Sequence, residues 1–314
     1  MKTRHLGKTG IEIPPIVFGG NVFGWTLDEK ESFQILDEAF EKGFTAIDTA
    51  DSYSHWAQGN VGGESETILG KWMKERGNRE KIMLATKVGS NPGHEGRDVS
   101  RNYILKAAED SLRRLQTDHI DLYFTHWDNE YTPVEETLEA YQQLIKDGKV
   151  RHIGASNLSA NRIRESLAAA EENGLPKYEV LQPEYSLMER KKFEDNYWEI
   201  AKEYELGVIS YFSLASGFLT GKYRTKEDIQ GSRSEIVEKY FSEKGLKILN
   251  TLDEISKAHG VSDAAVAIHW LMDRPDISAP IVSATKSSQL KAFEEAVELK
   301  LSGEEMARLN DVSR

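Results

Sequence analysis

Cysteine is absent from all 314 residues. Disulfides, thiolate nucleophiles and cysteine-held metals are excluded with it, and the absence accords with a reducing compartment. Positive charge is also short. Forty Lys and Arg stand against 52 Asp and Glu, a net charge of −12. Nucleic-acid binding needs a basic footprint and anionic membranes attract basic faces, so neither partner is expected. No protein-partner motif is visible. No apolar run approaches ~18 residues, so no transmembrane helix is expected. The opening MKTRHLGKTGIEIPP carries no apolar stretch behind its basic residues and does not read as a secretory signal. A cytoplasmic setting is the expectation.

Familiar site motifs are missing too. No GxGxxG occurs. GFLTGKY (217–223) is one residue short of a P-loop, and Tyr follows its Lys. His94-Glu95 opens like a zinc motif, but Asp98 stands where the second His belongs; no metal site is expected.

What is present is a rhythm. With 39% apolar and 9% aromatic residues the chain can bury a sizeable core. Two short extended pieces around Gly7-Lys8-Thr9-Gly10 read as a hairpin that plugs one end of a barrel. Strand-like runs follow at 16–18, 45–48, 82–86, 120–125, 152–155, 180–182, 208–211 and 277–282. Amphipathic stretches alternate with them at 29–41, 64–74, 101–115, 134–146, 160–170, 191–204, 245–258 and 288–296. Gly43, Gly148, Gly174 and Gly207 fall where helices should end, and Thr132-Pro133 where one should begin. The strands are apolar throughout, as in a parallel sheet covered on both faces. About eight strand-plus-helix cycles predict an α/β fold, a (β/α)8 TIM barrel forming one domain over 1–314, with a long loop at 213–242 after strand seven. The rival, an open doubly wound sheet, would carry the missing glycine fingerprint.

Function in such a barrel collects at the C-terminal strand ends. Those ends deliver Asp48 with Tyr53 shortly after, then Lys87, His126, Ser156 and Asn157, Gln182, and Tyr211 with Ser213. One Asp or Lys at a strand end is usually an ion pair or cap. Repeated on successive strands, such residues are wasteful for stability alone and point to a site. A Lys87 ammonium ~4 Å from the Tyr53 phenol would favour phenolate by about 4 kcal/mol at an effective ε of ~20. The phenol would move from near 10 towards neutrality, with desolvation and Asp48 opposing. Trp25, Trp56 and Trp127 follow strand ends and line either an apolar pocket or the core; Tyr211 is equally open between core aromatic and stacking platform. His259 and His269 lie in helix-like stretches and read as structural.

FTAIDTADSY (44–53), LATKVG (84–89), FTHWD (124–128), IGASN (153–157), LQPEYS (181–186) and YFSLASGFLTGKY (211–223) resemble, in order and spacing, the aldo-keto reductase superfamily. The likeness spans essentially the whole chain. LASGFLTGKY is similar to the bacterial and potassium-channel-β-like branch. The resemblance implies NAD(P)H-dependent reduction of aldehydes or ketones, with Asp48, Tyr53, Lys87 and His126 as the catalytic tetrad. Tyr53 would protonate the carbonyl oxygen, Lys87 would tune it, Asp48 would hold Lys87, and His126 would orient the carbonyl. It further implies Ser156, Asn157 and Gln182 on the carboxamide and Tyr211 against the nicotinamide. Ser213, Leu214, Gly217, Leu219 and Lys222 would lie around the pyrophosphate. IVSATKSSQL (281–290) departs from the pattern: Thr285 or Gln289 stands where an Arg is common, and Lys286 remains for a 2′-phosphate. NADPH is expected over NADH. A cofactor-binding regulatory barrel with little turnover is the alternative. A two-carboxylate glycosidase barrel has no support in these residues.

Overall fold

The structure is a computed structural model, and it describes residues 2–90, 96–229 and 234–314. The hairpin pairs β1 (Arg4–His5) with β2 (Glu12–Ile13). Eight parallel strands then close a barrel. They are β3 (Val17–Gly19), β4 (Ala46–Asp48), β5 (Met83–Val88), β6 (Ile120–Thr125), β7 (Val150–Ser156), β8 (Val180–Gln182), β9 (Gly207–Ser210) and β10 (Ala279–Val282). They join in chain order, and β10 returns to β3.

The covering helices are α1 (Glu29–Glu41), α2 (Glu64–Arg76), α3 (Arg101–Leu115), α4 (Val134–Lys146), α5 (Ala160–Asn173), α6 (Lys191–Asn196) and α7 (Trp198–Glu203). After β9 come α8 (Ser234–Glu238), α9 (Glu243–His259) and α10 (Asp263–Met272), and after β10 come α11 (Ser287–Glu298) and α12 (Gly303–Val312). None among the described residues is long and apolar enough to cross a membrane.

The expected strands all form. Helix 191–204 does not form as one piece: Tyr197 separates α6 from α7, and its hydroxyl donates to Leu158 O at 2.8 Å. Helix α10 shows in the sequence only as a helix-like stretch around His269. Ala264 to Ile268 and Trp270 to Met272 are all buried, so no apolar stripe marks it. Ser302 and Glu305 form a capping box that starts α12, a signal the rhythm of strands and helices overlooks. Within the expected 213–242 loop, residues 215–220 form a short helical turn, and Ala215, Phe218 and Leu219 enter the core.

Two punctuation readings change. Gly43, Gly148 and Gly174 adopt the left-handed conformation that ends a helix, but Gly207 does not. Gly207 is where the hairpin meets the barrel: a Cβ there would lie 2.8 Å from Leu6 Cδ1 and 2.9 Å from Gly7 N. Thr132 does not cap α4 either; its hydroxyl accepts from Asn129 Nδ2 at 2.9 Å, and Pro133 takes the cap position.

The barrel interior is apolar and continuous with the plug. Leu6 and Ile13 of the hairpin pack with Val17, Met83, Leu122, Phe124, Ile209 and Ile281. Phe124 fills the centre because Gly154 opposes it; a Cβ on Gly154 would come within 2.5 Å of the Phe124 Cδ1.

Candidate active site

Alternation along each strand decides what reaches the mouth. In β5, Met83 and Ala85 face the barrel interior while Leu84 and Val88 pack outwards, so Lys87 is the next inward residue. The same count puts Asp48 above Ala46, His126 above Phe124, Gln182 above Val180, Ser156 above Gly154, and Tyr211 above Ile209. Each of these six strands thus ends one inward step beyond the apolar filling with a polar or aromatic side chain.

Four of these ends converge. Lys87 Nζ donates to Asp48 Oδ2 at 2.6 Å, to Tyr53 Oη at 2.7 Å and to Thr49 O at 2.8 Å. Tyr53 Oη donates to the same Asp48 oxygen at 3.2 Å, and Gln182 Nε2 donates to Asp48 Oδ1 at 2.8 Å. Asp48 and Lys87 are 1% and 0% exposed. Such a pair tolerates burial because both members are hydrogen-bonded as well as charged. The ring of His126 lies 6.0 Å from that of Tyr53, and its Nδ1 faces Ser90 Oγ at 3.1 Å.

The electrostatics differ from the expectation for Tyr53. Burial first, then the Asp48 carboxylate and the hydrogen bond to it, hold the phenol well above its ordinary range. Lys87 does not prevail, because its charge is already engaged by Asp48 and because donation to Asp48 favours the neutral phenol. Burial likewise lowers Lys87, against the opposing charges of Asp48, Asp51 and Glu66. His126 is held well below its ordinary range by burial and then by the positive charges of Lys87, Arg97 and His55. The resting site therefore presents a protonated phenol and a neutral imidazole.

A second chain of hydrogen bonds runs beside the first. Ser156 Oγ donates to Gln182 O at 2.9 Å. Asn157 Nδ2 donates to His126 O at 3.1 Å and to Ser156 Oγ at 3.0 Å, and Tyr211 Oη donates to Asn157 Oδ1 at 2.7 Å. Asn157 adopts φ 52°, a left-handed conformation that Asn tolerates. Tyr211 is half-buried: its ring caps the barrel interior, so it is both a core aromatic on one side and an open platform on the other.

The stretch after β9 is unusual in its backbone. Phe212, Ala215 and Ser216 all have φ between 47° and 56°, followed by Gly217 at 92°. Non-glycine residues held there cost on the order of 1–3 kcal/mol each, and such strain collects at ligand clamps. A Cβ on Gly217 would lie 3.4 Å from Lys222 Nζ, so this ammonium sits over an open glycine, with no carboxylate paired to it among the described residues. That combination fits a phosphate group. Ser213 Oγ donates to Ser210 O, Leu214 is half-buried, and the Leu219 side chain is wholly in the core. After the neighbouring strand β10, Lys286 is the exposed N-cap of α11, and Gln289 Oε1 turns back to accept from Thr285 N at 2.7 Å.

Trp25, Trp56 and Trp127 join none of the apolar clusters among the described residues. Trp56 meets Trp25 edge-on at 5.5 Å and Tyr53 at 6.1 Å, and Trp127 lies 5.9 Å from His126. They belong to the mouth. His259 bonds Glu305, and His269 Nδ1 lies 2.8 Å from Ala296 O, both structural contacts. His94-Glu95 lies outside the described residues.

Several residues have no sequence signal strong enough to single them out. Ser90 is one. Behind Lys87, Glu66 accepts from Thr86 Oγ1 at 2.6 Å and from Arg114 Nε at 2.7 Å, while Asp51 lies nearby with Oδ1 buried and unpartnered. The Asp in DTADSY, between Ala and Ser, is the only hint of it. Arg97 stacks on Trp127 with Cζ 4.1 Å from the ring centroid.

Comparisons with known proteins agree with the barrel fold. Residues 15–314 match the model of the "Aldo/keto reductase family". The chain is 35% identical to the uncharacterized oxidoreductase YrpG of Bacillus subtilis, over 99% of this chain and 96% of that protein. It is 34% identical to the aldo-keto reductase YhdN of the same organism, over 99% and 93%. It is also 32% identical to a probable voltage-gated potassium channel subunit beta of Arabidopsis thaliana, over 95% and 92%. A closed parallel barrel with a Tyr–Lys–Asp cluster at its mouth, and a family match over nearly its full length, lead to one conclusion: this chain is an oxidoreductase of the aldo/keto reductase family.

Proposed function

We propose that the chain reduces aldehydes or ketones to alcohols with NADPH, and that Tyr53 is the general acid. The observation that carries this reading is the Lys87 ammonium, within hydrogen-bonding distance of both Asp48 Oδ2 and Tyr53 Oη. Tyr53 holds its proton at rest, as a donor must. As the proton passes from Tyr53 Oη to the carbonyl oxygen, the Lys87 hydrogen bond stabilises the phenolate left behind. Asp48 keeps Lys87 charged and in place. With Nδ1 facing Ser90, His126 keeps Nε2 for the substrate oxygen and orients it.

A bound reduced nicotinamide dinucleotide supplies the hydride. Tyr211 offers it a half-buried ring, Ser156, Asn157 and Gln182 offer amide and hydroxyl partners, and Gly217 with Lys222 suits the pyrophosphate. Lys286, exposed at the positive end of α11, supports a 2′-phosphate and hence NADPH. KM for NADPH at least about tenfold below that for NADH is expected, the margin of one charge-assisted contact. Equal KM values would overturn that preference.

The test of the activity is oxidation of NADPH at 340 nm with 4-nitrobenzaldehyde, run beside fluorescence titration of NADPH. Turnover by the wild type, and near-total loss in Tyr53→Phe with cofactor binding intact, is the expected result. Cofactor binding without turnover on a broad carbonyl panel would favour a regulatory barrel, a reading to which the similarity to the plant channel subunit lends weight. Failure of the folded protein to bind NADPH or NADH would refute both.

A further inference from the structure

Among the described residues Arg4, Arg97 and Arg101 have no ion-paired carboxylate, and of these Arg97 is the one laid on an aromatic ring at the mouth. Arg79, Arg114 and Arg162 each hold a buried carboxylate. Arg97 holds none among the described residues. Of the described acids beside it, Asp98 Oδ1 accepts from Ser100 N, and Asp128 Oδ2 binds Arg162. Among the described residues, only one of its five N–H donors makes a bond to protein, a long one of 3.4 Å to Asp128 O.

Nor is its guanidinium needed to fasten the loop. The backbone does that, since Arg97 O accepts from Asn129 Nδ2 and from Tyr131 Oη, each at 3.4 Å. The side chain is instead laid flat on Trp127, 4.1 Å from its centroid, and that ring is 5.9 Å from His126. Stacking fixes the plane of the fork and strips water from one face, which leaves its edge donors pre-arranged for a bidentate oxyacid. The charges felt at His126 are those of Lys87, Arg97 and His55, all of one sign, in a chain whose net charge is −12. Lys87 is paired with Asp48, so Arg97 is the guanidinium left beside His126, in a mouth walled by Trp25, Trp56 and Trp127.

We propose that Arg97 binds an anionic oxyacid group of the substrate, so that the carbonyl compound reduced at Tyr53 carries a carboxylate or phosphate a few atoms from its C=O. This inference rests on the reductase reading above and narrows its substrate class. Arg97 touches substrate and not the reacting atoms, so its effect falls on KM.

The experiment compares matched aldehydes: succinic semialdehyde against butyraldehyde, and glyceraldehyde 3-phosphate against glyceraldehyde. Wild type, Arg97→Gln and Arg97→Lys are assayed with saturating NADPH. The wild type should prefer at least one anion over its neutral partner by about 10- to 100-fold in kcat/KM, the span of one charge-assisted hydrogen-bonded contact. Which pair shows the preference identifies carboxylate or phosphate. Arg97→Gln should erase the preference through KM and leave neutral aldehydes within about twofold. Arg97→Lys should keep part of it, since charge is retained and the planar fork is lost. Equal use of anionic and neutral partners by the wild type, or an equal loss on both in Arg97→Gln, overturns the role of Arg97 and leaves the reductase reading standing. No turnover of any aldehyde by the wild type overturns the reductase reading and this inference with it.

Discussion

The two ends of the barrel bury the same kinds of charge and use them differently. At the N-terminal end Asp121 is saturated: Oδ2 accepts from Arg79 at 2.9 Å and from Leu84 N at 2.9 Å, and Oδ1 accepts from Arg151 at 2.6 Å. The hairpin seals that end with Leu6 and Ile13, both fully buried. At the C-terminal end Lys87 also has an acid partner, but one of its donors is directed at the Tyr53 hydroxyl, a group aimed at the mouth. Nearby lie the left-handed run after β9, an unpartnered Asp51 oxygen and an unpartnered Tyr123 hydroxyl. A carboxylate such as Asp121, spent on cations and a backbone amide, suits a charge kept for stability, whereas a Lys87 donor spent on a hydroxyl at the mouth suits a charge kept for chemistry.

The comparison is broken most sharply at Lys87. Lys87→Met should cut kcat/KM by at least about a thousandfold, since the developing phenolate loses its cation and Asp48 loses its partner. Retention of more than a tenth of wild-type kcat would erase the distinction between the ends. The matching substitution at the sealed end is Asp121→Ala. It strands Arg79 and Arg151 and should lower the unfolding free energy by about 3–5 kcal/mol in urea, with kcat per folded molecule unchanged. A fall in kcat of the folded fraction would show that the two ends are coupled. Leu6→Ala probes the plug itself. Truncating a fully buried side chain between Gly207 and the barrel filling should cost about 2–5 kcal/mol, again with no change in kcat.

The smallest effect sharpens the comparison at Asp51. Burial first, and then the charge of Glu66, push its carboxyl from 3.8 up to about 8, against the pull of Arg114 and Lys87; the Tyr123 and Tyr141 phenols also feel its charge. The folded chain keeps this proton where the unfolded chain has released it. Asp51 therefore contributes its stability in full below about 4 and loses it as the pH rises towards 8. Replacing it with Asn should remove a decline of at least ~1 kcal/mol between pH 5 and 8, read as the difference between urea unfolding curves. Identical pH slopes in the two proteins would mean that Asp51 is ionised in the folded state.

Much of the fold and of the site is legible in the sequence. The strand ends that carry Asp48, Lys87, His126, Ser156, Gln182 and Tyr211 stand out because polar side chains terminate apolar runs, a local pattern. The capping glycines Gly43, Gly148 and Gly174 are equally local. Gly207 misleads because its reason is the hairpin, some two hundred residues earlier in the chain. Helix α10 hides because burial on every side removes the periodicity that betrays a helix. Ser90 and Arg97 carry no local signal because each takes its meaning from a side chain on another strand's loop, His126 and Trp127.

The sequence by itself determined the order of the eight barrel strands and the kinds of residue at the mouth, because these follow from periodicities of two and 3.6 that operate over a few residues. The tertiary structure alone decided what those residues are chemically. Tyr53 holds its proton and His126 stays neutral because desolvation and Coulomb energies depend on which distant groups the closed barrel brings within a few ångströms.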